Sequence, residues 1–97
     1  MKPLLINTPV QRYTPVLVKW KDTASYHGWQ DIPAWIKRIS NPEYVFGLDC
    51  TSVGLIVHWN ERGIVICLNH CDAETGKEGG LLLEIPNGVI TEVYELE

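Results

Sequence analysis

Short apolar runs divided by turn residues, a tight Asn-Glu-Arg-Gly connection, and a Pro-Asn-Gly turn ahead of the last run predict a mainly β fold. The chain reads as a small antiparallel barrel of about five strands, with one short helix inserted between the first two. A small α+β arrangement, with the helix on one face of an antiparallel sheet, is the alternative.

Residues 1–13 carry prolines at 3 and 9 and no sustained period. They read as an extended N-terminal arm with an edge strand over Leu4 to Ile6, and residues 14–97 as one domain. Pro15 to Trp20 is the first firm strand, with Val16, Val18 and Trp20 on one face and Leu17 and Lys19 on the other. A loop then leads into D-I-P-A-W-I-K-R-I-S at 31–40. Asp31 suits an N-cap, and Pro33 is tolerated in the first turn, where its missing N–H has no helical partner. Ile32, Trp35, Ile36 and Ile39 fall at i, i+3, i+4 and i+7, which makes one apolar stripe. Lys37 and Arg38 suit the negative end of the helix dipole, and Asn41-Pro42 stops the helix. The stripe is expected to cover the open end of a sheet.

Tyr44 to Leu48 reads as a short strand. In Ser52 to Trp59, Val53, Leu55, Val57 and Trp59 point one way, and Ser52, Gly54, Ile56 and His58 the other. Asn60 to Gly63 is a hairpin connection in which Gly63 is expected to supply a positive φ. The return strand, Ile64 to Leu68, is almost continuously apolar, as when both faces are covered. A polar loop spans 69–80, Leu81 to Ile85 is another strand, and Pro86-Asn87-Gly88 forces a turn. Val89 to Leu96 is the last strand; Ile90, Val93 and Leu96 break strict alternation, which predicts a short 3₁₀ turn leading into it. The helix-bearing insertion sits where SH3-like barrels carry a long loop.

Ninety-seven residues leave no room for two cores. A domain of this size buries only about 60–65% of its unfolded surface, so shared apolar surface in a homo-oligomer is expected. The net charge is −4, and the eight basic residues are scattered. That excludes the dense cationic footprint of general nucleic-acid binding, while a small anion needs only two or three donors. Met1 to Leu5 is too short for a signal peptide, and no apolar run approaches ~18 residues. The expectation is a cytoplasmic protein with no membrane partner and with its three cysteines reduced.

Trp20 to Trp29, W-K-D-T-A-S-Y-H-G-W, concentrates the chemistry. Trp20, Tyr26 and Trp29 offer faces on which a planar ring could stack, and a stacked base is worth roughly 1–3 kcal/mol. Asp22, Thr23, Ser25 and His27 offer hydrogen-bonding groups for its polar edges, and Gly28 lets a ligand approach the backbone. Trp20, Asp22, Ser25, Tyr26, His27, Gly28 and Trp29 are the candidate ligand-binding site. The competing reading is that Trp20 ends a core face and Trp29 anchors the loop, while Asp22, Thr23 and Ser25 serve the turn itself. Asp22, Ser25 and His27 lie too close in sequence for a hydrolase triad, and no G-x-S-x-G is present. No catalytic residue is assigned and no cofactor is expected. Cys67, His70 and Cys71, with Cys50 across the sheet, make a possible zinc set, but they lack a paired C-x-x-C, so no metal is assigned.

W-K-D-T-A-S-Y-H-G-W at 20–29, C-T-S-V-G-L-I-V at 50–57 and I-P-N-G-V-I-T-E-V at 85–93 resemble small phage- and prophage-encoded proteins of roughly this length. In those a W-x-D-x-x-S-x-x-G-W block precedes an S-V-G strand, a hairpin and an Ile-Pro turn. The resemblance runs from about Val16 to Leu96. It implies a viral accessory protein with an SH3-like fold, acting in the host cell, and it carries over no catalytic residue. Such proteins often act by binding, either blocking a host protein or sequestering a defence signal, an analogy of context only. The expectation is therefore a non-enzymatic binding protein for a nucleotide-like ligand or a host protein, with a role in counter-defence. The alternative is a virion structural or assembly subunit, and a small hydrolase stands behind both.

Overall fold

Six antiparallel strands and one helix make up the chain in a computed structural model that describes residues 1–6, 8–71 and 78–96. The strands are β1 (Lys2–Pro3), β2 (Pro15–Asp22), β3 (Leu48–Trp59), β4 (Gly63–Cys71), β5 (Glu78–Pro86) and β6 (Ile90–Glu95). Helix α1 (Ile32–Ile39) lies between β2 and β3, and a 3₁₀ turn (Asn87–Val89) precedes β6. They form one sheet in the order β1-β6-β2-β3-β4-β5.

Strand β3 organises this sheet. Its first half pairs with β2, from Leu48 opposite Asp22 to Leu55 opposite Pro15. Its second half pairs with β4, from Leu55 opposite Cys67 to Trp59 opposite Ile64. The β4 register slips between Ile56 and His58, a bulge of the kind that bends and twists a strand. The skipped Val57 turns its carbonyl to Arg12, whose Nε donates to it at 3.2 Å. Gly54 lies just before this bend, where a Cβ would stand 2.8 Å from the Cys67 carbonyl oxygen.

The buried core is Leu4, Val16, Val18, Ile56, Ile64, Ile66, Ile85 and Val93, with Trp20 and Trp59 packed at its margin. Val16 and Val18 are inside, as the alternation of β2 required. In β3 the buried residues are Gly54 and Ile56, and Val53 on the opposite face is exposed. Expected barrel closure is not seen: β1 and β5 are the ends of the order, and no pairing joins them among the described residues. The N-terminal arm occupies the β6 edge instead. Lys2 and Pro3 pair with Glu95 and Tyr94, and Leu4 follows by donating its N–H to the Val93 carbonyl at 2.8 Å while filling the core. The edge strand therefore falls two residues earlier than Leu4 to Ile6.

Asn60 folds the β3–β4 turn by accepting from the Arg62 and Gly63 N–H groups at 2.8 and 3.3 Å. Gly63 does not supply the expected positive φ; it is needed for space, because a Cβ there would meet the Ile85 carbonyl oxygen at 2.7 Å. The 3₁₀ turn appears where the spacing of β6 predicted it. Its Asn87 accepts from Trp59 Nε1 at 2.8 Å and donates through Nδ2 to the Asn60 carbonyl at 2.7 Å. One side chain thus ties the turn before β6 to the β3–β4 hairpin. Asn87→Ala strands both partners in a half-buried place, and a loss of about 1–2 kcal/mol is expected, read as a lower urea midpoint with an unchanged slope.

On the opposite edge of β2, Lys19 pairs with Glu92 at 3.8 Å. Tyr94 donates to the same carboxylate at 2.6 Å, and this hydrogen bond holds the phenol pKa above its ordinary value.

Helix α1 begins and ends as its sequence directs. Asp31 accepts from the Ala34 N–H at 3.2 Å, Pro33 sits in the first turn, and Ser40 caps the end. Its apolar stripe, however, covers no sheet: α1 has no buried residue, and Ile32, Ile36 and Ile39 are exposed. Tyr44 to Gly47 is also not the expected strand; β3 starts only at Leu48, after a positive φ at Gly47. The outcome is an elongated molecule of 59 × 28 × 23 Å. Its radius of gyration is 17.5 Å, against roughly 13 Å for a compact chain of this length. Among the described residues no helix is long and apolar enough to cross a membrane.

Candidate functional site

Beyond the end of β2 the chain leaves the sheet for the 25 residues 23–47, returning at β3. Five of the nine aromatic residues fall in this excursion: Tyr26, Trp29, Trp35, Tyr44 and Phe46. Four of them line an open groove of about 870 Å³ between the 21–26 segment, α1 and the 44–47 segment. Ligand sites usually occupy roughly 300–1,000 Å³ and combine apolar walls with a few polar groups. Here the polar groups are Lys21, Asp22 and Thr23.

Trp35 is the centre of the wall. Its ring lies 4.7 Å from that of Tyr26, tilted by 60°, and the Arg38 guanidinium stands 4.8 Å from its centroid. Trp35 Nε1 donates to Gln30 Oε1 at 3.0 Å, and Gln30 Nε2 donates in turn to the His27 carbonyl at 3.2 Å. The loop is therefore fastened to the helix through Gln30. Arg38 also approaches the Tyr44 ring at 5.9 Å, and Tyr44 meets Phe46 edge-on at 5.1 Å. Stacking over ring faces suits a guanidinium, which is weakly hydrated and planar. Arg38 has no carboxylate partner among the described residues. Lys21 is differently placed, because it is held by Asp49 at 2.8 Å and donates to the Phe46 carbonyl at 3.3 Å.

The floor is narrowed by Gly47, whose φ is +74°; a Cβ there would run into the Asp22 carbonyl oxygen. Asp22 itself accepts from the Thr23 N–H at 2.8 Å, the short-range bond of a turn.

The seven residues singled out in the sequence do not converge. Asp22 and Tyr26 line the groove; Ser25, His27, Gly28 and Trp29 are exposed beside it and do not line it. Gly28 takes a φ of +86°. Trp20 points into the sheet, half-buried against the core, and donates through Nε1 to Ser52 Oγ at 3.0 Å. Trp29 is 105% exposed, so Trp29→Ala should change stability by less than about 0.5 kcal/mol, checked by thermal melting.

Trp35, Arg38, Tyr44 and Phe46 were not among the site residues read from the sequence. In sequence, Trp35 falls in the apolar stripe of α1 and Arg38 at the negative end of its dipole. The signal that points to them is the density of aromatic residues between 26 and 46, with Arg38 three residues after Trp35.

The possible zinc set is not assembled among the described residues. Cys67 is buried opposite Leu55, while Cys50 pairs with Trp20 five residues earlier on β3, about 16 Å along the strand. The side chains of His70 and Cys71 lie outside the described residues. No family model, curated protein or solved structure matches the chain.

Proposed function

We propose that this chain is a non-enzymatic binding protein that takes a planar, anionic, nucleotide-like ligand in the groove of α1. The observation that carries the reading is Arg38, which stands over Trp35 and near Tyr44 at the rim of the groove that these two rings line with Tyr26 and Phe46, and which has no carboxylate partner among the described residues. A base stacked on such rings gains roughly 1–3 kcal/mol per contact, and a guanidinium supplies a fixed donor set for phosphate oxygens. Thr23 and Asp22 at the groove edge supply a hydroxyl and a carboxylate for the polar edges of a base or sugar.

The wider setting in this proposal is a phage accessory protein acting in the host cytoplasm, where holding such a ligand removes a defence signal. An SH3-like relationship belongs to the same reading, supported by the order β6-β2-β3-β4-β5, the helix-bearing insertion after β2 and the 3₁₀ turn before the last strand. A host protein as the ligand is the second reading, and the exposed Ile32 and Ile36 beside the groove favour it.

Calorimetry with a panel of adenine and guanine mononucleotides and cyclic dinucleotides tests the proposal. One or more should bind with micromolar or tighter affinity, and Arg38→Gln should weaken that binding by about tenfold or more, the scale of a lost charge-assisted hydrogen bond. Absence of heat across the panel, with capture of a host protein that Ile36→Asp abolishes, would move the assignment to the second reading.

A further inference from the structure

The sheet leaves a notch on the β2 side of β3. Strand β2 makes its first pair at Pro15 opposite Leu55, whereas β3 runs on to Trp59. The N-terminal arm crosses at that point. Tyr13 donates its N–H to the Ile56 carbonyl at 2.6 Å, and the Ile56 N–H donates to the Thr14 carbonyl at 2.9 Å. Tyr13 turns the chain into β2 with a left-handed φ of +69°, uncommon for a residue that carries a side chain. Beside it, between Ile56 and His58, lies the bulge of β3. Two irregular stretches of backbone are therefore held next to one another, and such irregularities gather where a site is shaped.

Between the arm and residues 56–59 is a cleft of about 380 Å³, smaller and more enclosed than the groove of α1. Its polar side chains are Thr8, Arg12 and His58, and no carboxylate lines it among the described residues. Arg12 is fixed through Nε, which donates to the Val57 carbonyl at 3.2 Å, so its two terminal nitrogens remain as a fork. It has no carboxylate partner among the described residues. Thr8 Oγ1 accepts from the Leu5 N–H at 3.0 Å, which leaves the hydroxyl hydrogen to donate. His58 adds an imidazole N–H. Ile6, Pro9 and Trp59 are apolar walls, and the Trp59 indole is held in place by its bond to Asn87.

We propose that this cleft binds a small monocarboxylate with an apolar body. The carboxylate sits on the Arg12 fork, with Thr8 and His58 on its remaining lone pairs, and the body lies against Ile6 and Trp59. One fixed positive charge matches one negative charge, whereas a phosphate monoester carries roughly −1.5 to −2 at pH 7 and leaves an excess in the cleft. The volume is near the lower end of ligand sites, roughly 300–1,000 Å³, which selects a small acid. No residue of the cleft lines the α1 groove, so the two sites stand or fall separately.

Sodium benzoate, titrated into the ¹⁵N-labelled chain at constant ionic strength, tests this. The Trp59 indole N–H signal should move to saturation with a Kd of about 1 mM or tighter, while the Trp35 signal stays in place. Arg12→Gln should weaken binding by about tenfold or more, and Thr8→Val by about fivefold. Neither residue belongs to the buried core, so both variants should keep the far-UV circular dichroism of the parent. Where Arg12→Gln does not, Thr8→Val carries the test. Benzyl alcohol, which has a ring but no charge, should not saturate the signal, and phenyl phosphate should bind more weakly than benzoate. A Trp59 signal unmoved by benzoate up to about 10 mM, or equal binding of benzyl alcohol, would overturn the proposal. So would undiminished affinity in a folded variant, or phenyl phosphate binding as tightly as benzoate.

Discussion

Trp35→Ala should abolish ligand binding, by 100-fold or more in Kd, while the thermal midpoint stays within a few degrees of the parent. Three groups rest on this indole: the Tyr26 ring, the Arg38 guanidinium and the Gln30 amide that fastens the loop. Removing it takes away a stacking face and releases the cation and the loop together, and two contacts of about 1–3 kcal/mol each correspond to that factor. Stability should change little, because α1 buries no residue and the core lies in the sheet. Calorimetry and thermal melting of the same sample separate the two effects. A variant that unfolds would show that the excursion from 23 to 47 contributes to the core, and the groove would lose its standing as a site.

Gly54→Val should have the largest effect on stability, a loss of about 3 kcal/mol or more. Its first side-chain carbon would lie 2.8 Å from the Cys67 carbonyl oxygen and 3.3 Å from the Ile66 side chain. Neither neighbour is free to yield, since Cys67 and Ile66 are buried and paired with β3 at that level. Overpacking of this kind typically costs about 1–3 kcal/mol, and a branched residue lies at or above the top of that range. A domain of this size has about 5–15 kcal/mol in total, and each kilocalorie shifts the midpoint by roughly 4–8 °C, so a fall of more than 12 °C is expected. A midpoint within 3 °C of the parent would mean that β3 and β4 do not approach so closely at the bend.

Features written in adjacent residues were legible before any coordinates. Asp31 and Pro33 set the start of α1, and Val16 and Val18 gave the buried face of β2. The turn before β6 followed from Pro86-Asn87-Gly88 and the spacing of Ile90 and Val93. What failed depended on residues far apart. In β3 both alternating sets contain apolar residues, so period alone could not say that Ile56 rather than Val53 faces inward. The bond from Trp59 to Asn87 joins residues 28 apart and has no local pattern. The site suffered most, because Tyr26, Trp35 and Tyr44 come from a loop, a helix and a second loop. Trp20 and Trp29 share a dense block with Tyr26, yet one indole lies against the core and the other stands in solvent. The α1 stripe was read correctly as apolar; the assumption that its own chain would cover it was not.

The four tryptophans allow the central claim to be tested within one spectrum. Their Nε1–H groups have distinct environments: Trp20 donates to Ser52, Trp35 to Gln30 and Trp59 to Asn87, and Trp29 is exposed. In a ¹⁵N-labelled sample, each indole signal is assigned by its Trp→Phe variant, and the nucleotide with the strongest calorimetric response is titrated in. The groove account expects the Trp35 signal to move progressively to saturation while those of Trp20 and Trp59 stay in place. A Trp35 signal that does not respond to a nucleotide shown to bind, or a response centred on Trp59, would contradict it.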